Sequence, residues 1–451
     1  MSAPADRSAT TATAPRTVGW GIVGCGWVAR DHLLPGLRAT PGLRLVAACD
    51  RDPAAAARLA AAATAAPPGE FRVPSGELRV PSGELRVPPG ELRVPPGEFR
   101  VPPGESRVSA REPRVPPGEL RVPAGELRGS PGELRTPPGR PSRPGRAGDP
   151  LVTTDVDALL ATPGLDAVYV ATPNSAHRAV VEAVAARGLP VLCEKPMAAD
   201  VDDAVAIAAA CAGRLAGTAF DQRFHPAHRR IAEIVAAGEL GVVTAVRTVY
   251  ACWLPPDWTP DGSAGPQSGH PMSEVVADLP RHTNWRVDPA RAGGGALVDL
   301  APHGIDLIGA LLGGDDLDTL DVLLQRRVHA YPVDDGAVLA GRTGGGVLFS
   351  GHVAFNTPDA YPRRRLEVVG TRAQLVAEDT MGQTAGGRLT RTAADGTVTD
   401  VPFDVSTSPF AAQLAAFSAA VTGAGGWPWP LERDLRLHRL LHTAIREAER
   451  A

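Results

Sequence analysis

The sequence predicts an α/β protein: a doubly wound parallel sheet first, then a smaller-stepped α+β domain with a large open mixed sheet, and a disordered heptapeptide-repeat insertion inside the first. Three observations carry this. Apolar runs of strand length alternate with helical patterns from residue 17 to about 225, and beyond Gly241 the pattern changes to longer alternating strands such as Val242 to Tyr250 and Val347 to Phe355. Alternating strands and helices make parallel sheets, because each helix returns the chain to the same strand edge. The third observation is Pro67 to Thr136, ten consecutive seven-residue units on the theme Pro-Pro-Gly-Glu-Leu-Arg-Val.

In order, Thr17 to Val23 and Leu43 to Cys49 read as buried strands, with a helix from about Val28 to Ala39 between them and an alanine-rich helix from Pro53 to Ala65 after. The alternation resumes with a short strand at Leu151, a helix over Asp155 to Ala161 and the strand Ala167 to Ala171. A helix over His177 to Arg187, the strand Pro190 to Cys193 and a helix across Asp200 to Ala212 follow. The second domain has one helix around Leu297 to Leu312 and two near the C-terminus. The expected organisation is a disordered tail over residues 1–16, a first domain over 17–225 interrupted by the insertion at 67–150, and a second domain over 226–451 that binds substrate and carries oligomer contacts.

The repeat is neither coiled coil nor collagen: proline blocks the helix, and glycine does not recur at every third position. With 14 arginines against 11 acids and 20 prolines, Pro67 to Pro150 cannot bury a core. Lengthening a loop costs only about 0.6 kcal/mol per doubling, so many units can accumulate. Expansion of a short repeat accounts for it more simply than a proline-rich docking ligand.

Composition narrows the function. Net charge is −4 and no apolar run approaches the roughly 18 residues of a membrane helix, so neither nucleic acid nor membrane is the expected partner. The first 16 residues have no apolar core of a secretory signal, and a cytoplasmic site is the default. Five widely spaced cysteines suit reduced, buried thiols better than disulfides or a zinc site, and no metal is expected. Of 46 basic residues 45 are arginine; the one lysine is Lys195. In a chain that uses arginine wherever a charge suffices, that exception suggests chemistry arginine cannot supply, a compact ammonium on a flexible stem.

Directly after the first strand comes Gly24-Cys25-Gly26-Trp27-Val28-Ala29. The first glycine makes the tight turn, the second lets the backbone approach a pyrophosphate, and the helix N-terminus holds its charge, as in a Rossmann dinucleotide site. The second strand ends in Asp50, placed for the two adenosine-ribose hydroxyls. The carboxylate repels a 2′-phosphate and favours NAD, while Arg51 beside it leaves NADP open. The strand ending at Ala171 runs into Thr172-Pro173-Asn174-Ser175-Ala176-His177, and the next into Glu194-Lys195-Pro196. Both border the same crevice, since ligands of open parallel sheets bind at the carboxyl ends of the strands. Gly293-Gly294-Gly295 precedes Asp299 and His303, whose i, i+4 spacing puts a carboxylate and an imidazole on one helix face.

These segments, in this order and with Arg223-Phe224-His225-Pro226 between them, resemble the Gfo/Idh/MocA family of NAD(P)-dependent oxidoreductases, which includes inositol dehydrogenases and glucose-fructose oxidoreductase. The resemblance covers nearly all the chain outside the repeat and the tail. It implies that Lys195, Asp299 and His303 surround the reacting carbinol of a sugar, sugar derivative or cyclitol. It also implies that Gly24, Gly26, Trp27, Val28, Asp50, Arg51, Thr172, Pro173, Asn174, His177, Glu194 and Lys195 border the cofactor, and that a dimer or tetramer is expected. Physical reading agrees: alcohol oxidation needs a hydride acceptor and a base, for which His303 is suited, and Lys195 can favour the developing alkoxide. Arg223, Trp285 and Arg286 read as further substrate neighbours, and the loop Pro255 to Asn284 as the part that sets specificity. Asp221 departs from the family, which often has Asn there. The alternative is a catalytically silent NAD(P)-binding regulator of the same fold, against which the joint retention of Lys195, Asp299 and His303 argues.

The placement of Asp50 generates a prediction: NAD binds more tightly than NADP, and Asp50→Ala narrows or reverses the difference, as read by fluorescence titration with the reduced cofactors. Equal or tighter binding of NADP to the unaltered chain contradicts it.

Overall fold

A computed structural model describes residues 16–65, 148–255, 258 and 285–450, with the backbone of 79–80 and 83–84. The chain divides into two units, Met1–Thr64 with Gly145–Ala451, and Ala65–Pro144. In the second unit the described residues form one antiparallel pair, β3 (Arg79–Val80) with β4 (Gly83–Glu84). The remainder of the expected repeat insertion, the expected tail before Arg16 and most of the loop Pro255 to Asn284 lie outside the described residues.

The first sheet of the larger unit is six-stranded and parallel, in the order β5 (Leu151–Thr153), β2 (Leu43–Cys49), β1 (Val18–Val23), β6 (Ala167–Val170), β7 (Val191–Glu194), β8 (Ala216–Ala219). The order reverses between β1 and β6, which opens a crevice above their carboxyl ends. β1 is buried at every position, as a strand covered on both faces must be. The crossovers are α1 (Leu34–Ala39), α2 (Pro53–Thr64), α3 (Val156–Leu160), α4 (His177–Ala186) and α5 (Val201–Ala210). Asp155 and Asp200 cap α3 and α5 by accepting from Asp157 N and Asp203 N. α1 is preceded by a π-helical section, Ala29–Leu33, which the sequence pattern gave no sign of. β8 was not expected either: its Ala-Gly-Thr-Ala has low strand propensity, and the indole of Trp427 lies where a Cβ on Gly217 would be.

Helix α6 (Pro226–Ala236) leads into an eight-stranded mixed sheet, ordered β10 (Leu317–Gln325), β11 (Gly336–Thr343), β12 (Leu348–Ala354), β9 (Val243–Ala251), β13 (Arg364–Gly370), β14 (Ala373–Glu378), β15 (Arg388–Ala393), β16 (Val398–Asp400). Only β12 and β9 pair parallel within it. Burial alternates along β12 and β14, so one face is packed and the other open. Between β9 and β10 stand α7 (Pro289–Ala292) and α8 (Ala296–Leu311). Leu297, Leu300, Ile305 and Ile308 of α8 join the core of this sheet. Of its sixteen residues only Asp299 and Ala310 are not buried, so Asp299 is where the N-terminal half of the helix opens.

The two C-terminal helices close the unit. Phe410, Leu414 and Phe417 of α9 (Pro409–Thr422) pack with Trp20 and Tyr169 of the first sheet, and the Trp20 Nε1–H donates to Ser418 Oγ at 3.1 Å. Leu437 and Leu441 of α10 (Leu431–Ala448) pack in the second core. An ionic network lies under the junction. Arg223, in the 3-10 turn after β8, donates from Nε and Nη2 to Asp306 of α8 at 2.7 and 2.5 Å and from Nη2 to Asp434 of α10 at 2.8 Å. Arg433 also reaches Asp306 Oδ1, at 2.5 Å, and Asp316 at 2.6 Å. Burial alone would raise the Asp306 carboxyl, but the two guanidiniums hold it below its ordinary range.

Removing the shared acceptor leaves two buried arginines without it. Asp306→Ala therefore costs about 3–5 kcal/mol of stability, measured by chemical denaturation; a loss below about 1 kcal/mol contradicts a network that holds the junction.

Candidate active site

The crevice is built by loops at the carboxyl ends of β1, β2, β6 and β7 and by the start of α8. Gly24 has φ +92°, and a Cβ there would come 2.5 Å from the Ala171 carbonyl oxygen, so the turn out of β1 passes β6 at a distance only glycine allows. Gly26 is different: among the described residues beyond its chain neighbours, a Cβ there would meet no atom within 4 Å, which leaves room before the helix that opens at Trp27 and Val28. Asp50 Oδ2 accepts from Cys25 N at 2.6 Å and Oδ1 from Asp52 N at 2.9 Å, which fixes the carboxylate beside the glycine loop with lone pairs to spare. Arg51 is exposed beside it. Thr172 Oγ1, just after β6, is buried with no hydrogen-bond partner among the described residues. An open space before a helix N-terminus, a fixed carboxylate and an unpaired hydroxyl fit a dinucleotide.

Three residues expected to border the cofactor act as fasteners. Asn174 Nδ2 donates to the Ala292 carbonyl at 2.8 Å, tying the loop after β6 to α7. His177 is fully buried, with Nε2 3.0 Å from Thr172 O and Nδ1 3.1 Å from Pro196 O, so its ring joins the two loops; burial lowers its pKa to about 4. Glu194 Oε1 accepts from the Tyr169 hydroxyl at 2.7 Å and Oε2 from Lys195 N at 3.1 Å. Burial raises this carboxyl to about 7, and it sets the backbone from which Lys195 extends.

Lys195 Nζ donates to Asp299 Oδ1 at 2.7 Å and to the Asp299 carbonyl at 2.8 Å. An ammonium has three N–H bonds, so one remains. Burial would raise the Asp299 carboxyl, but Lys195 and then Arg286 hold it down at about 2. The pair is seated by the triple glycine. Gly293 has φ +81° and packs on the Ala199 carbonyl where a Cβ would collide, and Asp334 accepts from Gly295 N at 2.9 Å and Leu297 N at 2.7 Å, capping α8 from across the loop.

One turn along, His303 is 2% exposed. Its Nδ1 lies 3.2 Å from Asp221 Oδ1, inside ion-pair distance but off the hydrogen-bonding direction, and among the described residues both ring nitrogens lack a completed hydrogen bond. The Tyr250 ring stands 5.3 Å away. Arg286 Nε is 3.8 Å from Asp299 Oδ2, and its guanidinium lies 4.7 Å from the centre of the Trp285 ring and 6.0 Å from that of Trp27. The structure thus gathers Lys195, Asp299, His303 and Arg286, with Trp285 and Trp27 stacked against the last.

Arg223 does not join them. The expectation that it borders the substrate is corrected: its side chain is 1% exposed and its charge is committed to Asp306 and Asp434. Sequence reasoning also missed Tyr169 and Asp334, whose roles depend on pairings 25 and 39 residues away. Asp221 stood out only as a departure from the family.

The chain is similar to known proteins in both of its sheets' domains. The sequence model of the GFO/IDH/MocA C-terminal domain matches residues 228–376, and that of the oxidoreductase family with an NAD-binding Rossmann fold matches 146–216. The chain is 31% identical over 274 residues to the 1,5-anhydro-D-fructose reductase of Ensifer adhaerens, covering 60% of this chain and 74% of that one. It is 32% identical over 283 residues to D-xylose 1-dehydrogenase (NADP(+)) 2 of Haloferax volcanii, covering 61% and 75%. The aldose-aldose oxidoreductase of Caulobacter crescentus has the same fold, with a TM-score of 0.65 at 19% identity over 96% of this chain and 98% of that one. No helix among the described residues is long and apolar enough to cross a membrane. The chain belongs to the Gfo/Idh/MocA family and is an NAD(P)-dependent oxidoreductase acting on CH–OH groups.

Proposed function

We propose that the enzyme reversibly oxidises a secondary alcohol of a sugar, sugar derivative or cyclitol, with NAD preferred, as a cytoplasmic dimer or tetramer. One observation carries the reading: the only lysine of the chain is clamped by Asp299 at the crevice, with His303 one turn further on the same buried helix. The backbone of Gly24, Gly26, Trp27 and Val28 would hold the cofactor pyrophosphate, Asp50 the ribose diol, and Thr172 and Pro173 the far wall. When bound, the nicotinamide supplies the hydride acceptor, or the donor in the reverse direction.

The chain's own residues do the rest. The free N–H of Lys195 faces the carbinol oxygen and its charge favours the alkoxide that develops there. His303 takes the hydroxyl proton at Nε2. Asp299 keeps the ammonium charged and aimed, and Arg286 with Trp285 bounds the substrate beside it. Unpaired thiols at all five cysteines suit a reducing compartment. Outward-facing Leu323, Val338 and Leu348 on the open sheet, 75%, 49% and 60% exposed, suit contact with another copy.

The test is reduction of NAD and NADP against a panel of sugars and cyclitols. On the substrate found, His303→Ala and Lys195→Arg each lower kcat by at least about a hundredfold while cofactor affinity changes little, since acid–base groups contribute about 10² to 10⁴. Near-normal turnover in either variant removes that residue from the mechanism.

A further inference from the structure

We propose that Asp221 is a positioning residue for His303: it holds the imidazole as the tautomer protonated at Nδ1, leaves the Nε2 lone pair for the substrate, and balances the imidazolium that forms. This rests on His303 being the base. Asp221 is 2% exposed, in the 3-10 turn Asp221–Phe224 after β8, and a buried carboxylate is costly unless a cation or several donors meet it. Elsewhere buried carboxylates are met by arginine, as at Asp306 and Asp434, or by backbone N–H groups, as at Asp334 and Asp335. Among the described residues, no arginine meets the Asp221 carboxylate. Its contacts are the side-chain N–H of Gln222 at 3.0 Å and the imidazole of His303 at 3.2 Å.

The support beneath it is rigid. Gln222 Nε2 also donates to the Gly382 carbonyl at 2.8 Å, and the Gln413 side-chain carbonyl accepts from Phe220 N at 3.3 Å and Asp221 N at 3.2 Å. The turn that carries the carboxylate is therefore held from two other places in the chain, while His303 has no completed hydrogen bond among the described residues. An ionised carboxylate only accepts, so the nitrogen nearest it carries the proton. A modest ring rotation completes that bond, and catalytic hydrogen bonds commonly tighten only when substrate is bound.

Burial would raise the Asp221 carboxyl, but His303, and Lys195 more weakly, hold it below its ordinary range, so it stays ionised where the enzyme works. Asp299 faces His303 from its own helix, and Tyr250 from β9. The Lys195 ammonium, the Glu194 carboxyl, His225 and His32 act on the same carboxylate, and Arg364 of β13 faces Tyr250 and His32. Among these, Asp221 is the one placed against Nδ1.

The decisive variant is Asp221→Asn, compared with wild type, His303→Ala and the double variant, each first checked for folding by circular dichroism and for binding of reduced cofactor. Asp221→Asn is expected to lower kcat at least about tenfold with KM and cofactor affinity changed less than about threefold, and to move the acidic limb of the kcat–pH profile down by about one unit, because the imidazolium loses its anion. In the His303→Ala background the same change is expected to have less than about a twofold effect. An unchanged pH profile, or equal losses in both backgrounds, overturns the role of Asp221; near-normal turnover in His303→Ala overturns the reading of His303 instead. Nitrogen-15 NMR of wild-type His303, assigned by its loss in His303→Ala, tests the claim without altering Asp221: protonation at Nδ1 supports it, and protonation at Nε2 overturns it.

Discussion

The proposed active site depends on the bond between Lys195 and Asp299. The two residues are 104 apart in the chain, and they join the end of a parallel strand in one sheet to the first turn of the helix that packs the other. Their side chains are 12% and 20% exposed, dry enough for a short pair to be worth more than a surface ion pair and open enough to meet a substrate. The sign of its pH dependence follows from Asp299, whose carboxyl is held at about 2. A depressed carboxyl contributes its full stability above the unfolded value of roughly 3.9 and loses it only as pH falls toward 2. Through the neutral range the clamp is intact.

Much of the surrounding structure serves to keep α8 where this pair needs it. Gly293 lets the chain touch Ala199 just beyond the lysine loop, Asn174 holds Ala292, and Asp334 caps the helix. At the other end of the helix Asp306 is gripped by Arg223 and Arg433. A helix buried at fourteen of sixteen positions and fixed at both ends presents its few polar groups with little freedom, as pre-organised electrostatic stabilisation requires.

The parallel sheet was legible in the sequence because its strands are fully buried and so read as apolar runs: Leu43–Cys49 matches its predicted bounds, and the others differ by a residue or two. The meeting of the glycine loop with Asp50, and of Lys195 with Asp299 and His303 on one helix, was legible because strand ends and i, i+4 spacing place them together. What escaped was set by partners remote in sequence. Gly217 makes β8 look unlike a strand until Trp427 covers it. Arg223 looked like a pocket residue because nothing local reveals Asp306 and Asp434. The arginines of α6 hid an amphipathic helix whose Ile231 and Ile234 reach the core. Asn174, His177 and Glu194 were found at the crevice, but their hydrogen bonds run into the protein, which only coordinates can show.

The single lysine makes the central claim open to direct measurement. An amine-directed acylating reagent has one side chain to modify in this protein, Lys195, besides the N-terminal amine. Mass spectrometry alongside activity is expected to show inactivation in step with one labelled lysine, and protection by NAD with substrate. Complete acylation of Lys195 with activity retained would contradict the account.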